Sequence, residues 1–183
     1  MRQVAERRDV IPVLAELFRE NGYEATSLAL IGAATGLGKG SLYHFFPGGK
    51  DEMARAVLAD IDRWFETLIF QPLEQRPDPQ AAISAMFDDV SAYFRSGRRV
   101  CLVGVLALGT VRDRFAETVQ GYFTRWCAAL ASALQRAGHE CAHAILLAEE
   151  IVVGIQGAIV LARALDDPGV FARCIERLRV LVA

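Results

Sequence analysis

The stretch Thr26–Phe46 reads TSLALIGAATGLGKGSLYHFF, and it decides the fold of the N-terminal part of the chain. Two short apolar segments lie on either side of Gly36-Leu37-Gly38, and glycines in such a position break a helix and allow a tight turn. Thr26 or Ser27 can cap the first of the two helices. Two short helices joined by a tight glycine turn are typical of the helix-turn-helix motif.

The second helix of this pair, about residues 39–46, is predicted to have one polar and one apolar side. The polar side carries side chains that can donate hydrogen bonds to phosphates and base edges. These are Lys39, Ser41, Tyr43 and His44. The sequence has no Asp or Glu between Glu24 and Asp51. A carboxylate there would repel a phosphate backbone, so the exclusion favours a DNA-facing surface. The alternative is that the turn joins two structural helices and that the acid-free span is chance.

The positive charge available to such a surface is local. The whole chain has a formal net charge of −2, and residues 1–55 contain seven basic and seven acidic side chains. Few phosphate contacts per subunit are therefore expected, and a dimer that binds two half-sites would recover the affinity. Half-sites one helical turn of DNA apart, about 34 Å, or a multiple of it, are the geometric expectation.

The rest of the chain is also predicted to be helical. Its 183 residues are 53% hydrophobic, and apolar residues recur three and four apart without sustained alternation, which predicts an all-α fold of about nine helices. A long helix is expected from Lys50 through Trp64 and Leu68, and a loop at residues 71–79. The apolar segment VCLVGVLALG, residues 100–109, predicts a short helix that is buried on all sides.

Two long striped helices, residues 112–137 and 142–165, are predicted in the C-terminal half. The second carries small residues that would let another helix approach closely, and pairing across a two-fold axis would give a four-helix dimer interface. Those small residues are Ala148, Gly154, Gly157 and Ala158. The alternative is that both stripes serve only the internal core, since a core-facing stripe has the same period.

Catalytic and metal-binding patterns are weak. The sequence has no GxSxG, Walker or paired-glycine dinucleotide motif, so an enzyme is not expected. His139 and His143 lie four apart and could share a metal ion, but no third-ligand pattern accompanies them. The four cysteines show no CxxC spacing and are expected to act as small apolar residues. They are Cys101, Cys127, Cys141 and Cys174.

Neither a secretion signal nor a membrane span is expected. No early segment combines a basic start, an apolar core and a cleavage site. The most apolar region, residues 144–165, is interrupted by polar and charged side chains. They are Glu149, Glu150, Gln156 and Arg163. A cytoplasmic protein is therefore expected.

The segment AELFRENGYEATSLALIGAATGLGKGSLYHFFPGGKDEM, residues 15–53, resembles the DNA-binding head of the tetracycline-repressor (TetR) family of transcriptional regulators. In two places it departs from the usual pattern. The turn Pro47-Gly48-Gly49 is one residue longer than usual, as in the LmrA-like subgroup, and residue 40 is glycine, which removes one potential base contact. The resemblance implies that six residues contact DNA, mostly at its phosphates. They are Thr26, Lys39, Ser41, Tyr43, His44 and Lys50.

The resemblance also implies how the chain is divided. Residues 1–50 would form the helix-turn-helix domain and residues 51–183 a regulatory domain that dimerises and binds a small-molecule effector, with no cofactor. Large or aromatic residues on converging helices are the candidate lining of an apolar effector site. These candidates are Trp64, Leu68, Phe87, Tyr93, Cys101, Phe123 and Trp126. A metal- or redox-responsive regulator, or a protein-interaction module without DNA binding, are the alternatives.

Overall fold

A computed structural model describes residues 6–182. Their N-terminal part consists of α1 (Arg7–Ala25), α2 (Leu28–Thr35) and α3 (Lys39–Phe45). The Ser27 hydroxyl caps α2 by accepting a hydrogen bond from the backbone N–H of Leu30 at 3.1 Å. Gly36 ends α2 with a φ of 73°, a left-handed conformation that glycine adopts without steric cost. The turn therefore forms where the sequence analysis places it.

The three N-terminal helices share a small apolar core. Phe18 of α1, Ile31 of α2 and Leu42 of α3 are each at most 1% exposed, and Leu28 and Leu37 pack against the core cluster that contains them. These contacts fix the angle between α2 and α3, as predicted. Within α1, Gly22 has a non-helical backbone with a φ of 74°, and one further turn continues to Ala25.

A long helix leaves this head and enters the rest of the fold. It begins as α4 (Gly49–Phe65), passes through a π-helical turn at Glu66–Phe70 and continues as α5 (Gln71–Gln75). The prediction of a loop from residue 71 is therefore wrong for its first half. Pro72 follows the π-helical turn almost directly, and Leu73 beside it is fully buried.

The C-terminal body consists of the remaining helices. They are α6 (Pro79–Tyr93), α7 (Leu102–Leu108), α8 (Ala116–Arg136), α9 (Cys141–Ala164) and α10 (Gly169–Val180), with a 3₁₀ turn at Arg112–Phe115 before α8. With α4 and α5 counted as one continuous helix, the described range 6–182 holds nine α-helices and no strand. The all-α prediction is thus confirmed.

Helix α9 is the centre of the body. It is long and apolar enough to cross a membrane by length and composition alone. However, it packs along α8 on one side and α10 on another, and Ile151, Ile155 and Ile159 are at most 2% exposed. It is therefore a core helix of the fold. Helix α7 is not buried on all sides as predicted, because Leu108 is 89% exposed.

The connection between α6 and α7 depends on a glycine. Gly97 has a φ of +88°, and a Cβ built there would lie only 2.6 Å from the Cβ of Phe171 on α10. Gly97→Ala is therefore expected to lower the free energy of unfolding by about 2 kcal/mol, because it adds both backbone strain and a steric clash. The midpoint of thermal unfolding should fall by roughly 4–8 °C.

The matched control is Gly40→Ala. A Cβ at residue 40 meets no atom within 4 Å, so alanine there should stabilise α3 by about 0.5–1 kcal/mol. Equal melting temperatures for the Gly97→Ala variant and the wild type would contradict the packing described for this connection.

Candidate nucleic-acid interface and ligand groove

The exposed side of α3 is the candidate nucleic-acid interface. The side chains of Lys39, Ser41, Tyr43 and His44 are all exposed, whereas Leu42 between them is buried. The Lys39 Nζ atom lies 5.9 Å from the centroid of the Tyr43 ring, so cation and ring lie side by side on this face. Gly40 adds no side chain to it, and the space there is open.

Thr26 and Lys50 occupy different positions from the four α3 residues. Thr26 is fully buried, and its hydroxyl donates to the backbone oxygen of Gly22 at 2.6 Å. Its side chain holds the end of α1 against the start of α2. The Lys50 ammonium donates to the backbone oxygens of Tyr23 and Glu24 at 3.0 and 3.2 Å, and lies 4.4 Å from the centroid of the Tyr23 ring. Both residues thus support the C-terminal end of α1 beside the exposed face.

A polar cluster joins the head to the body at the start of α4. Asp51 accepts hydrogen bonds from the Tyr23 hydroxyl of α1 and, at 2.8 Å, from Arg114 of the 3₁₀ turn. The Tyr23 hydrogen bond and the Arg114 guanidinium lower the pKa of the Asp51 carboxyl below its ordinary value of 3.8. The sequence pattern marks Asp51 only as the end of the acid-free span that follows Glu24. Arg114 is distant in sequence, so nothing in the local pattern predicts this contact.

This cluster predicts a pH-dependent contribution to stability. A lowered pKa in the folded state means that the contribution is present above about pH 4 and is lost as pH falls through the folded-state value. Asp51→Asn should therefore destabilise the protein at pH 7, by no more than about 1 kcal/mol because the Asp51 and Arg114 side chains are 46% and 48% exposed. The difference from the wild type in urea denaturation should become smaller as the pH falls below about 4.

The control for this experiment is Asp113→Asn. Asp113 pairs with its neighbour Arg112, and its side chain is 95% exposed, so no change is expected at either pH. A destabilisation by Asp51→Asn that is equal at pH 3 and pH 7 would contradict the ionic role of Asp51.

A second cluster joins α1 to the segment that follows α6. Glu16 accepts hydrogen bonds from Arg19 at 3.0 Å and from Arg99 at 2.5 Å, and Arg95 lies 3.8 Å away. Burial raises the pKa of the Glu16 carboxyl, but the three arginines lower it by a larger amount. The pKa therefore lies below its ordinary value. Arg19 is 7% exposed and also donates to the Tyr93 hydroxyl. One carboxylate thus faces three guanidinium groups, which leaves a local excess of positive charge.

An apolar groove of about 810 Å³ runs between α7, α8 and α9. Its walls include Val105 and Leu108 of α7, Phe123 and Cys127 of α8, and Val152 of α9. Its polar side chains are few, and the amide of Gln156 on α9 is one of them. An apolar cleft with few polar groups is the usual form of a small-molecule site.

The predicted ligand residues are distributed over three places. Cys101 and Phe123 line the groove. Trp64, Tyr93 and Trp126 belong to an aromatic cluster around Phe65, with ring centroids within 5.2 Å of the Phe65 ring. Phe87 is fully buried elsewhere, under the Arg179 guanidinium, and Leu68 is 40% exposed. These last five residues do not line the groove.

Sequence reasoning missed Gln156 as a groove residue. The signal was present, because an amide in an apolar stretch of helix requires a partner or a function.

The two histidines considered as a metal pair, His139 and His143, lie with ring centroids 5.8 Å apart. Within residues 6–182, no group of three or more His, Cys, Asp or Glu side chains could hold a metal ion. Cys101 is buried, and all four cysteines are free.

The head with its exposed α3 is of the helix-turn-helix class, and the long helix α4–α5 connects it to an all-helical body. Residues 11–57 match the model of the bacterial regulatory proteins of the tetR family, and residues 79–177 match that of the LmrA/YxaF-like transcriptional regulator C-terminal domain. The chain belongs to the TetR family of transcriptional regulators, in the LmrA-like subgroup. The family that the head resembles in sequence is thus confirmed.

Individual relatives agree with this assignment. The uncharacterized HTH-type transcriptional regulator YxaF of Bacillus subtilis is 31% identical over 180 residues, which cover 96% of this chain and 94% of YxaF. A TetR regulator from Legionella pneumophila has the same fold over 100% of both chains, with a TM-score of 0.80 at 19% identity. A cysteine mutant of the regulator CifR, solved with a 26-base-pair operator DNA, is similar over 98% of both chains, with a TM-score of 0.77 at 20% identity.

Proposed function

We propose that this regulator is a ligand-responsive repressor of the cytoplasm, which binds a palindromic operator as a homodimer and releases it when a small apolar or aromatic molecule binds. The observation that carries the proposal is the exposed face of α3. Lys39, Ser41, Tyr43 and His44 project from it, and no carboxylate lies between Glu24 and Asp51. Lysine, serine, tyrosine and histidine side chains donate to phosphates and base edges. CifR, a regulator of similar fold, was solved in complex with operator DNA, which supports a DNA-binding function.

Thr26 and Lys50 complete the proposed interface in a supporting role. Thr26 is enclosed, and the Lys50 ammonium already contacts two backbone oxygens at the end of α1. Lys50 is nevertheless only partly buried, so its charge contributes to the potential that a phosphate meets at the start of α4. We assign direct contact first to the four residues of α3.

The outer face of α8 and α9 is the proposed dimer interface. Leu146, Val153 and Val160 of α9 are 64%, 69% and 59% exposed, and they follow each other at intervals of seven residues, the spacing of a helix–helix seam. Gly157 lies beside them, and a Cβ built there meets no atom within 4 Å. A Cβ built at Gly121 on α8 also meets no atom within 4 Å. An apolar strip of this kind is unusual on the surface of a monomer.

The small residues predicted for this interface differ in their surroundings. Ala148 and Ala158 are buried within the subunit, at 0% and 4% exposure. A Cβ at Gly154 would lie 3.2 Å from Leu178 of α10. Of that set, only Gly157 faces outward, so the dimer proposal depends on Gly157 and the exposed valines.

The groove is the proposed effector site. Val153, Gly157 and Val160 of the proposed seam also line it, so an effector bound there would lie against the dimer interface. The two polar clusters are the proposed connections of this site to the head. Cys101 in the groove wall comes two residues after Arg99, which binds Glu16 of α1. The chain is proposed to divide at residue 50, with residues 1–50 reading DNA and residues 51–183 sensing the effector. Because α4 packs on α1, a shift in the body would move the head. Coupling of this kind is typically about 1–3 kcal/mol.

The experiment that tests the proposal is fluorescence anisotropy with DNA from upstream of the protein's own gene, over a salt series, with scrambled DNA as control. Nanomolar binding that exceeds binding to the control by about a thousandfold is expected for a specific regulator. Equal affinity for both DNAs at low and high salt, across a genomic library of fragments, would contradict an operator-binding function.

A further inference from the structure

Helix α3 is short, and its orientation depends on its neighbours. It has seven residues, of which Leu42 is buried, and helices of that length are not stable on their own in water. Its N-cap residue, Gly38, supplies no side-chain hydrogen bond. Within residues 6–182, one side chain hydrogen-bonds to the backbone of α3. It is Arg7 of α1, whose Nε atom donates to the backbone oxygen of Phe45 at 3.0 Å.

The Arg7 guanidinium makes two further contacts at this end of α3. Its Nη2 atom donates to the Glu52 Oε1 atom of α4 at 3.2 Å. Its central carbon lies 4.7 Å from the centroid of the Phe46 ring, and Phe46 is fully buried. A guanidinium is planar and its donors form a rigid fork, so it holds several partners in one mutual geometry. This side chain thus connects α1, the C-terminal end of α3 and the start of α4.

The Glu52 carboxylate also holds the turn Pro47-Gly48-Gly49, where the sequence departs from the usual family pattern. Its Oε2 atom accepts from the Gly48 N–H at 2.8 Å, while its Oε1 atom faces Arg7. A Cβ built at Gly48 would lie 3.1 Å from the Glu52 Cβ, so the turn packs closely on this side chain. The turn and the guanidinium are therefore fixed by the same carboxylate.

We infer that Arg7 and Glu52 are positioning residues for DNA recognition, which set the direction of α3 without contacting DNA. This inference rests on the proposed function, in which α3 contacts the operator. Tyr43 and His44 directly precede the residue that Arg7 holds, and a helix in the major groove must present such side chains to the bases in a fixed orientation. The two charged side chains are 47% and 34% exposed. A pair of that exposure contributes little to the free energy of unfolding.

The test measures the ratio of the affinities for operator and scrambled DNA by fluorescence anisotropy, in Arg7→Ala, Glu52→Ala and the double variant. Each single change is expected to lower this ratio by about threefold per subunit, and so by about 10-fold for a dimer. The double variant should be no worse than either single variant, because the two side chains act as one unit. Partial unfolding lowers both affinities equally, so a purely structural effect leaves the ratio unchanged.

The matched control is Arg8→Ala. It removes the same charge one residue away, from a side chain that is 81% exposed and pairs with Glu6, so the ratio should stay that of the wild type. Hydrogen–deuterium exchange tests the positioning without DNA. The amides of residues 43–46 should exchange about 10-fold faster in Arg7→Ala than in Arg8→Ala, because the end of α3 opens more easily.

Three results would overturn the inference. In the first, Arg7→Ala weakens binding to both DNAs alike and lowers the salt slope by about 1.8, which would make Arg7 a phosphate contact. In the second, the ratio is unchanged in Arg7→Ala and Glu52→Ala. Faster exchange at residues 43–46 in that case would limit the pair to local stability. In the third, the wild type has no preference for any operator DNA. That result would contradict the proposed function itself, and the inferred role in recognition would fall with it even if the exchange data showed that the pair holds α3.

Discussion

The double variant Val153→Arg, Val160→Arg is expected to be monomeric and to bind operator DNA at least about 100-fold more weakly than the wild type. Both valines are more than half exposed on the outer face of α9, so arginine should fit on the isolated subunit. In a two-fold interface each arginine would face apolar surface of the partner, and a buried unpaired charge is strongly unfavourable. A monomer can bind only one half-site and loses the gain from two linked contacts, about 10²–10⁴ in affinity.

Multi-angle light scattering gives the oligomeric state in this experiment, and anisotropy with operator DNA gives the affinity. The control is Val180→Arg, because Val180 is 75% exposed on α10, outside the proposed seam. It should remain dimeric with unchanged affinity. A double variant that is still dimeric at micromolar concentration would exclude this face of α9 as the interface.

Lys39→Ala is expected to weaken binding to every DNA sequence and to flatten its dependence on salt. Loss of one phosphate contact reduces the slope of log K against log salt by about 0.9, and a dimer loses two such contacts, so a change of about 1.8 is expected. At 0.1 M salt this corresponds to a loss of affinity on the order of 50-fold. Specific and scrambled DNA should be affected alike, since a phosphate contact carries no sequence information.

Two further variants limit the interpretation of Lys39→Ala. Lys39→Arg keeps the charge and should keep the slope. Arg63→Ala removes an exposed cation of α4 that pairs with Asp60, and it should leave the slope unchanged. If Lys39→Ala and the wild type have the same slope, Lys39 does not contact a phosphate.

The head could be predicted from the sequence because its determinants are local. The turn at Gly36, the cap at Ser27 and the apolar contacts of Leu42 all involve residues within about 25 positions of each other, and glycine, serine and leucine each have one dominant role there. The π-helical turn before α5 could not be predicted. Tertiary burial of Ile69 and Phe70 overrides the signal of Pro72 as a helix breaker.

The candidate effector site was harder to predict, because it depends on which side of each helix faces its neighbours. Phe87 and Phe123 have similar patterns in sequence, yet Phe87 is enclosed and Phe123 lines the groove. Gln156 and Cys101 come together in the groove wall only through the packing of α7 and α9. Long-range juxtapositions of this kind are set by the whole fold, and a single sequence gives no direct record of them.

Gly40 gives this regulator an unused position in the middle of its proposed DNA-binding surface. The residue is exposed on α3, and a side chain added there meets no other atom. Every glycine codon becomes an arginine codon by one nucleotide change, and arginine is the side chain most often used to recognise guanine. After gene duplication, one copy could therefore acquire a new operator preference in a single mutational step, without first losing stability.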